Sequence, residues 1–280
     1  PFDLAPPDEV TRLLNARDDV RAALGVVREA SEAADATMRD ALGEHVATYN
    51  RRLEIEVKPP VGSSSVRVSG NYPDKADALE RLADRPFWLA LSRLMCTRDL
   101  MSERDAEKLD EQMHGRHYSA EEKLPPFTRA NVEASVRKMR DDVPGMIDDL
   151  AVAAFRGCAW DRKTNSPTEL GPRCIITYAT PSHWSPGNKL HRASQLLDLE
   201  RALVLEGGAL PGSIGGGIRE CEPSDWGEWT PVRYGDGRER LRVKLHKNGN
   251  AHVDILDDEA RARLNARIFR LHPNAIGATK

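Results

Sequence analysis

The chain has 280 residues, of which 40% are hydrophobic and 30% charged, the balance of a globular protein with one large domain or two smaller ones. A net charge of −3 excludes a uniformly basic nucleic-acid coat. No apolar run approaches the roughly eighteen residues of a membrane span, which excludes an integral helical membrane protein. Pro1 to Asp8 carry neither a basic start nor an apolar core, so no secretory signal is expected. Cys96, Cys158, Cys174 and Cys221 form no CxxC pair, which argues against a zinc knuckle or a disulfide scaffold and fits a reducing, cytoplasmic setting.

The elements follow in chain order. Pro6-Pro7 before Asp8 reads as a helix start with Asp8 as N-cap. Val10, Leu13, Val20, Leu24, Val27, Ala34, Met38 and Ala41 then fall on alternating three- and four-residue steps, interrupted by Arg17 and Ser31. This predicts a long helix packed along another, either within the chain or in a coiled-coil dimer through residues 10–41. Leu53, Ile55 and Val57 alternate with charges as in a half-exposed strand, and Val66 to Val68 can return beside it. Asp74 is expected to cap a helical stretch that Pro86 divides in two. Ser102 opens a short helix ending near His114; Thr128 caps a longer one that Pro144 should kink and Gly157 should stop.

After Gly157 the texture changes. Cys174 to Tyr178 is a β-rich run, Leu190 to Leu205 is helical, Gly207 to Gly217 is glycine-rich, strands begin near Thr230, and a helix closes the chain from about Asp258 to Leu271. The expected fold is α+β: a mostly helical region over 1–157, and a mixed region over 158–280 with a small antiparallel sheet and a C-terminal helix, as two parts or one continuous domain. Arg233 to Lys280 holds eleven Lys and Arg against six Asp and Glu, a net of +5 that leaves −8 for residues 1–232. The C-terminal end is the electropositive part of an acidic chain.

Most of the information sits in residues 240–256. Apolar and polar residues alternate on both sides of Asn248-Gly249, a strong hairpin signal. A three-residue loop, Lys247-Asn248-Gly249 with Gly249 left-handed, sets Val243 against Val253, Leu241 against Ile255 and Leu245 against Ala251 on one apolar face. A two-residue loop would mix the faces. The opposite face then carries Arg242, Lys244, His246, Asn250, His252 and Asp254, with Lys244 across from His252 and Arg242 across from Asp254. Such a face is either a wet hairpin surface with cross-strand salt pairs or a polyanion-binding or catalytic surface. In the second reading His252 is a general base or phosphate ligand, Asp254 a catalytic group or the holder of Arg242, and Arg242, Lys244, His246, Lys247 and Asn250 contact nucleic acid. The spacing of His246, His252 and Asp254 matches no ligand signature, so neither a metal nor a cofactor is expected.

Other candidates are weaker. Gly212 to Gly217 lacks the Lys-Ser/Thr ending of a phosphate loop. His114 to His117 has no paired half-site, and Ser182-His183-Trp184 are sequence neighbours, which rarely form a catalytic pair. Trp184, Trp226 and Trp229 either stack on bases near the basic patch or roof the sheet.

At Lys247-Asn248-Gly249-Asn250-Ala251-His252, followed by a strand and Arg263-Leu264-Asn265, the chain resembles an uncharacterised bacterial and phage family known only as a domain of unknown function. Arg12 to Val27, Asp84-Arg85-Pro86-Phe87-Trp88 with Met101-Ser102, and Leu199 to Leu203 extend the resemblance more weakly. Members usually carry an aromatic where His246 stands, and Asp161 to Pro181 matches poorly. The resemblance implies a phage or mobile-element setting in a bacterial host and a neighbourhood of DNA methyltransferase domains; it brings no reaction with it. The resulting expectation is a DNA-associated protein that binds DNA or a DNA-processing enzyme, in base modification, anti-restriction or host takeover. Two alternatives stand beside it: an enzyme acting on nucleic acid or nucleotides through His252 with Lys244 or Arg242, and a helical interaction or structural protein. Whether the chain is an enzyme is left open.

Overall fold

The computed structural model describes residues 7–42, 51–57, 66–72, 76–114, 124–158, 165–166, 168–180, 185–190, 193–210 and 215–271. In order, these form α1 (Pro7–Leu42), β1 (Arg51–Val57), β2 (Val66–Tyr72), α2 (Ala76–Leu94), α3 (Glu103–His114), α4 (Arg129–Gly157), β3 (Arg173–Ile176), α5 (Ser194–Glu206), β4 (Trp229–Arg233), β5 (Glu239–Leu245), β6 (Ala251–Ile255) and α6 (Asp258–Leu271). The fold is α+β. Asp74, Gly115 to Tyr118, Ser182 to Trp184 and Pro211 to Ile214 lie outside the described residues.

The chain forms two compact units, residues 1–97 with 110–141, and residues 98–109 with 142–280. The division falls within α3 and α4, so residues 142–157 group with the sheet and not with the helices that precede them.

In the first unit α1 packs along α2, and α2 also meets β2. Leu13, Leu14 and Leu24 are buried, and so is Arg17, the polar break in the seam. The break has a partner: Arg17 Nε and Nη2 bond Asp84 at 2.6 and 3.1 Å, and Asp84 also accepts the Phe127 N–H at 2.9 Å. A buried guanidinium is tolerated only when so paired. α1 begins at Pro7, one residue before the expected cap, because proline suits the first helical position; Asp8 then complements the helix dipole from the first turn. β1 and β2 pair antiparallel with Ile55 opposite Val68.

Pro86 does not divide α2. The ring costs one backbone hydrogen bond, but residues 86–91 around it are all buried, and that burial outweighs the loss. Phe87 meets Phe127 at a tilt and Trp88 meets it edge-on, at centroid distances of 5.6 and 5.0 Å, and Trp88 Nε1 donates to the Pro125 carbonyl at 2.8 Å. α4 likewise runs without interruption through Pro144 and ends at Gly157. The caps sit where the sequence places them: Asp105 N–H donates to Ser102 Oγ at 3.2 Å, and Asn131 N–H to Thr128 Oγ1 at 3.3 Å.

The second unit holds a four-stranded antiparallel sheet in the order β3-β6-β5-β4. On one face Cys174, Ile176, Val232, Leu241, Val243, Leu245, Ala251, Val253 and Ile255 are all buried. α5, which packs on α6, is buried from Leu196 to Leu205. Cys158 and Cys174 are reduced thiols with sulfurs 3.4 Å apart, and their mutual hydrogen bond together with burial raises the Cys158 thiol well above its ordinary value. The Asn165 side chain bonds both the N–H and the carbonyl of Ile175, covering the outer edge of β3.

Candidate nucleic-acid interface

The β5–β6 hairpin adopts the three-residue loop. Gly249 has φ +80° and donates to the His246 carbonyl at 2.9 Å, and His246 N–H donates to the Asn250 carbonyl at 2.9 Å. Leu241 faces Ile255, Val243 faces Val253, and Leu245 faces Ala251. Burial of these residues selects the register, since a one-residue slip would turn each of them outward.

The polar face of the sheet is therefore ordered in rows. One row runs Arg173, Asp254, Arg242, Pro231 across β3, β6, β5 and β4; the next runs Ile175, His252, Lys244, Trp229. Asp254 stands between two guanidiniums. Arg173 Nε and Nη2 reach it at 2.5 and 3.1 Å, and Arg242 Nε and Nη2 at 2.7 and 2.6 Å. The Arg173 hydrogen bond, with help from Arg242, holds the Asp254 carboxyl below its usual range despite burial. The Trp229 ring spans the row, with Arg242 Cζ at 4.9 Å and Arg173 Cζ at 5.2 Å from its centroid.

Every candidate site residue is in this hairpin, and the structure separates their roles. Asn250 Oδ1 accepts the Tyr178 N–H at 3.4 Å, Asn248 Oδ1 accepts the Asn250 N–H at 3.1 Å, and the Gly249 carbonyl accepts from Thr180 at 3.3 Å. These bonds join the hairpin turn to the chain leaving β3. A Cβ on Gly249 would press on the Thr180 carbonyl at 3.3 Å. Lys247 is exposed at the turn. Lys244 is half-buried opposite His252, with no ion-pair partner among the described residues. The His246 and His252 rings lie 4.3 Å apart, and His246 Nε2 is enclosed without a hydrogen-bond partner among the described residues. Burial is the largest cause lowering His252 below the ordinary imidazole value; His246, Lys244 and Arg173 add to it and Asp254 opposes. These causes favour the neutral ring of His252, which is able to accept a proton.

Arg173 was absent from the sequence-derived set. Its signal was faint: it is the single cation opening the apolar run Cys174 to Tyr178, and only the pairing of β3 with β6 sets it beside Asp254.

The other charged groups of this unit are differently employed. Glu103 accepts from Arg201 Nη2 at 2.5 Å, Arg219 Nη2 at 3.0 Å and Arg98 Nη2 at 3.0 Å. Burial works against its charge, but the three guanidiniums outweigh it and keep the carboxyl below its usual value. Nearby on α5, burial pushes Asp198 up to about 6 and Glu200 up to about 7. Asp198 accepts the Glu103 N–H at 2.6 Å, and Glu200 accepts the Ile218 N–H at 2.6 Å. Gly215, Gly216 and Gly217 all have positive φ, and a Cβ on Gly217 would overlap Glu200 Oε1. This end of the glycine-rich loop therefore seats the backbone on a buried carboxyl.

The arginines of α6 also have acceptors. Arg267 bonds Glu206 and Asp148, Arg270 bonds Asp148, Arg261 bonds Asp258 and the Leu170 carbonyl, and Arg263 bonds the Glu206 carbonyl. Among the described residues no group of three or more His, Cys, Asp or Glu side chains could hold a metal ion, and no helix is long and apolar enough to cross a membrane.

No curated protein and no solved structure matches the chain. One family model does, over residues 81–273, a span that contains the whole four-stranded sheet, the Glu103 cluster and all of α6. With well over half of its residues matched, the chain belongs to the family described as a domain of unknown function, DUF4942.

Proposed function

We propose that this protein binds DNA through the open face of its sheet. The observation that carries the reading is a charge imbalance on one surface: Arg173 and Arg242 share the carboxylate of Asp254 beside Trp229, and Lys244 stands in the next row without an ion-pair partner among the described residues. A surface with surplus cations attracts phosphates even on an acidic protein. Asp254 acts as the holder of two guanidiniums, since its lone pairs are engaged and its proton affinity is depressed. The phage or mobile-element setting, and a role in base modification, anti-restriction or host takeover, rest on the sequence resemblance, with DNA or a DNA-processing enzyme as partner. A cytoplasmic location in a bacterial host belongs to the same reading.

The test is DNA binding at two salt concentrations for the wild type and Arg242→Ala/Lys244→Ala. Binding that weakens with salt and is lost in the double variant supports the reading; absence of wild-type binding even at low salt overturns it. A second reading has its own observation, the partly buried His252 beside Lys244, where burial favours the neutral ring. If the face also does chemistry, His252 is the proton acceptor, and His252→Ala removes turnover while DNA is still bound.

A further inference from the structure

We infer that the ligand of this face is an unpaired nucleotide, its base stacked on the Trp229–Arg242–Arg173 assembly and its phosphodiester held by the two guanidiniums. The inference rests on the DNA-binding reading above and narrows it to single-stranded or locally opened nucleic acid.

Three observations lead there. The first is the stacking surface. Trp229 is partly exposed on an edge strand, and its ring meets two guanidiniums within 5.2 Å of the centroid. Aromatic rings and guanidinium planes are the side-chain surfaces on which unpaired bases stack, whereas a paired base inside a duplex offers only its edges. The second is the aim of the arginines. Each bonds Asp254 through Nε and Nη2 and keeps Nη1 for a further acceptor. One buried carboxylate thereby orients two forks side by side, a pre-arranged grip on a phosphate oxygen that mobile surface arginines lack. Asp254 is a positioning residue in this arrangement. The third is shape. The face is a four-stranded sheet, and its basic residues lie in two cross-strand rows. α6, the Arg-rich helix that follows the sheet, has its arginines engaged with Glu206, Asp148, Asp258, Glu259 and main-chain carbonyls. α6 is thus not a free basic helix for a major groove, while an open sheet with an aromatic and cations suits a strand whose bases are splayed out. Lys244, next to Trp229 in its row, meets the phosphate of the neighbouring nucleotide.

The experiment uses the full chain and two probes of one sequence: a short single-stranded DNA carrying 2-aminopurine, and its duplex. The wild type is expected to prefer the single strand and to quench the 2-aminopurine fluorescence by stacking. Trp229→Leu is expected to weaken single-strand binding about 5- to 100-fold and to abolish the quench, with partial recovery in Trp229→Phe. Asp254→Asn is expected to weaken binding although it removes a negative charge from the face, which a purely electrostatic surface would not do. Equal affinity for single strand and duplex, indifferent to Trp229→Leu, overturns this inference and leaves the DNA-binding reading intact. No binding of either probe at low salt overturns both. The wild-type comparison needs no variant, so it stands even where a substitution disturbs the fold.

Discussion

Two groups of arginines in the second unit have opposite employment. Around Glu103 and along α6, guanidiniums meet carboxylates or main-chain carbonyls within the unit: Arg201, with a side chain only 3% exposed, is tied to Glu103, and Arg267 to Glu206 and Asp148. On the sheet face, two half-exposed arginines share one carboxylate and Lys244 adds a third cation. Composition treats the whole C-terminal stretch as one basic patch. Geometry divides it into charges spent on the fold and charges left for a ligand.

Substitutions can break that division. The largest effect is expected at the buried cluster. Glu103→Ala strands Arg201 without its counter-ion and should lower the unfolding free energy by about 3–5 kcal/mol in a urea titration. A loss below about 1 kcal/mol would mean that the cluster does not hold the fold. On the other side of the comparison, Arg242→Ala/Lys244→Ala should cost about 1 kcal/mol of stability or less, as partly exposed charges do. The same change should weaken DNA binding roughly 30- to 100-fold at low salt and make the salt slope shallower by about 1.5. A double variant that unfolds as readily as Glu103→Ala would erase the distinction.

A pH titration sharpens the buried side. Burial raises Glu200 in the folded state to about 7 from its ordinary 4.5. The folded protein therefore holds this proton more tightly than the unfolded chain. The resulting stability is complete below pH 4.5 and is lost as pH rises through about 7. Glu200→Gln, which keeps an acceptor for Ile218 N–H, should flatten that decline by on the order of 2 kcal/mol between pH 5 and 8. Equal slopes in the two proteins would show that Glu200 is not the group responsible. The smallest effect is expected on α6. Arg270, whose side chain is 64% exposed and bonds Asp148, should cost well under 1 kcal/mol as Arg270→Ala and leave DNA affinity unchanged. A clear loss of affinity there would return α6 to the binding surface.

Local chemistry by itself determined the elements, the caps at Ser102 and Thr128, and the hairpin register, because each depends on neighbours in the chain: a side chain three residues away, a glycine at positive φ, an alternation of two. The polar face with Arg242, Lys244, His252 and Asp254 was legible for the same reason. Whether Pro86 ends a helix was not a local question. The answer depended on how much apolar surface the flanking residues bury, and burial outweighed one lost hydrogen bond. The partner of Arg17 likewise lay 67 residues away at Asp84. Nor could sequence bring Arg173 to Asp254, which needed β3 to join the sheet beside β6, or swing Trp229 from β4 over both arginines. A charge has the same composition whether it is paired or free. Only tertiary structure decides which carboxylates lie within reach, and so which cations of this chain stay unspent.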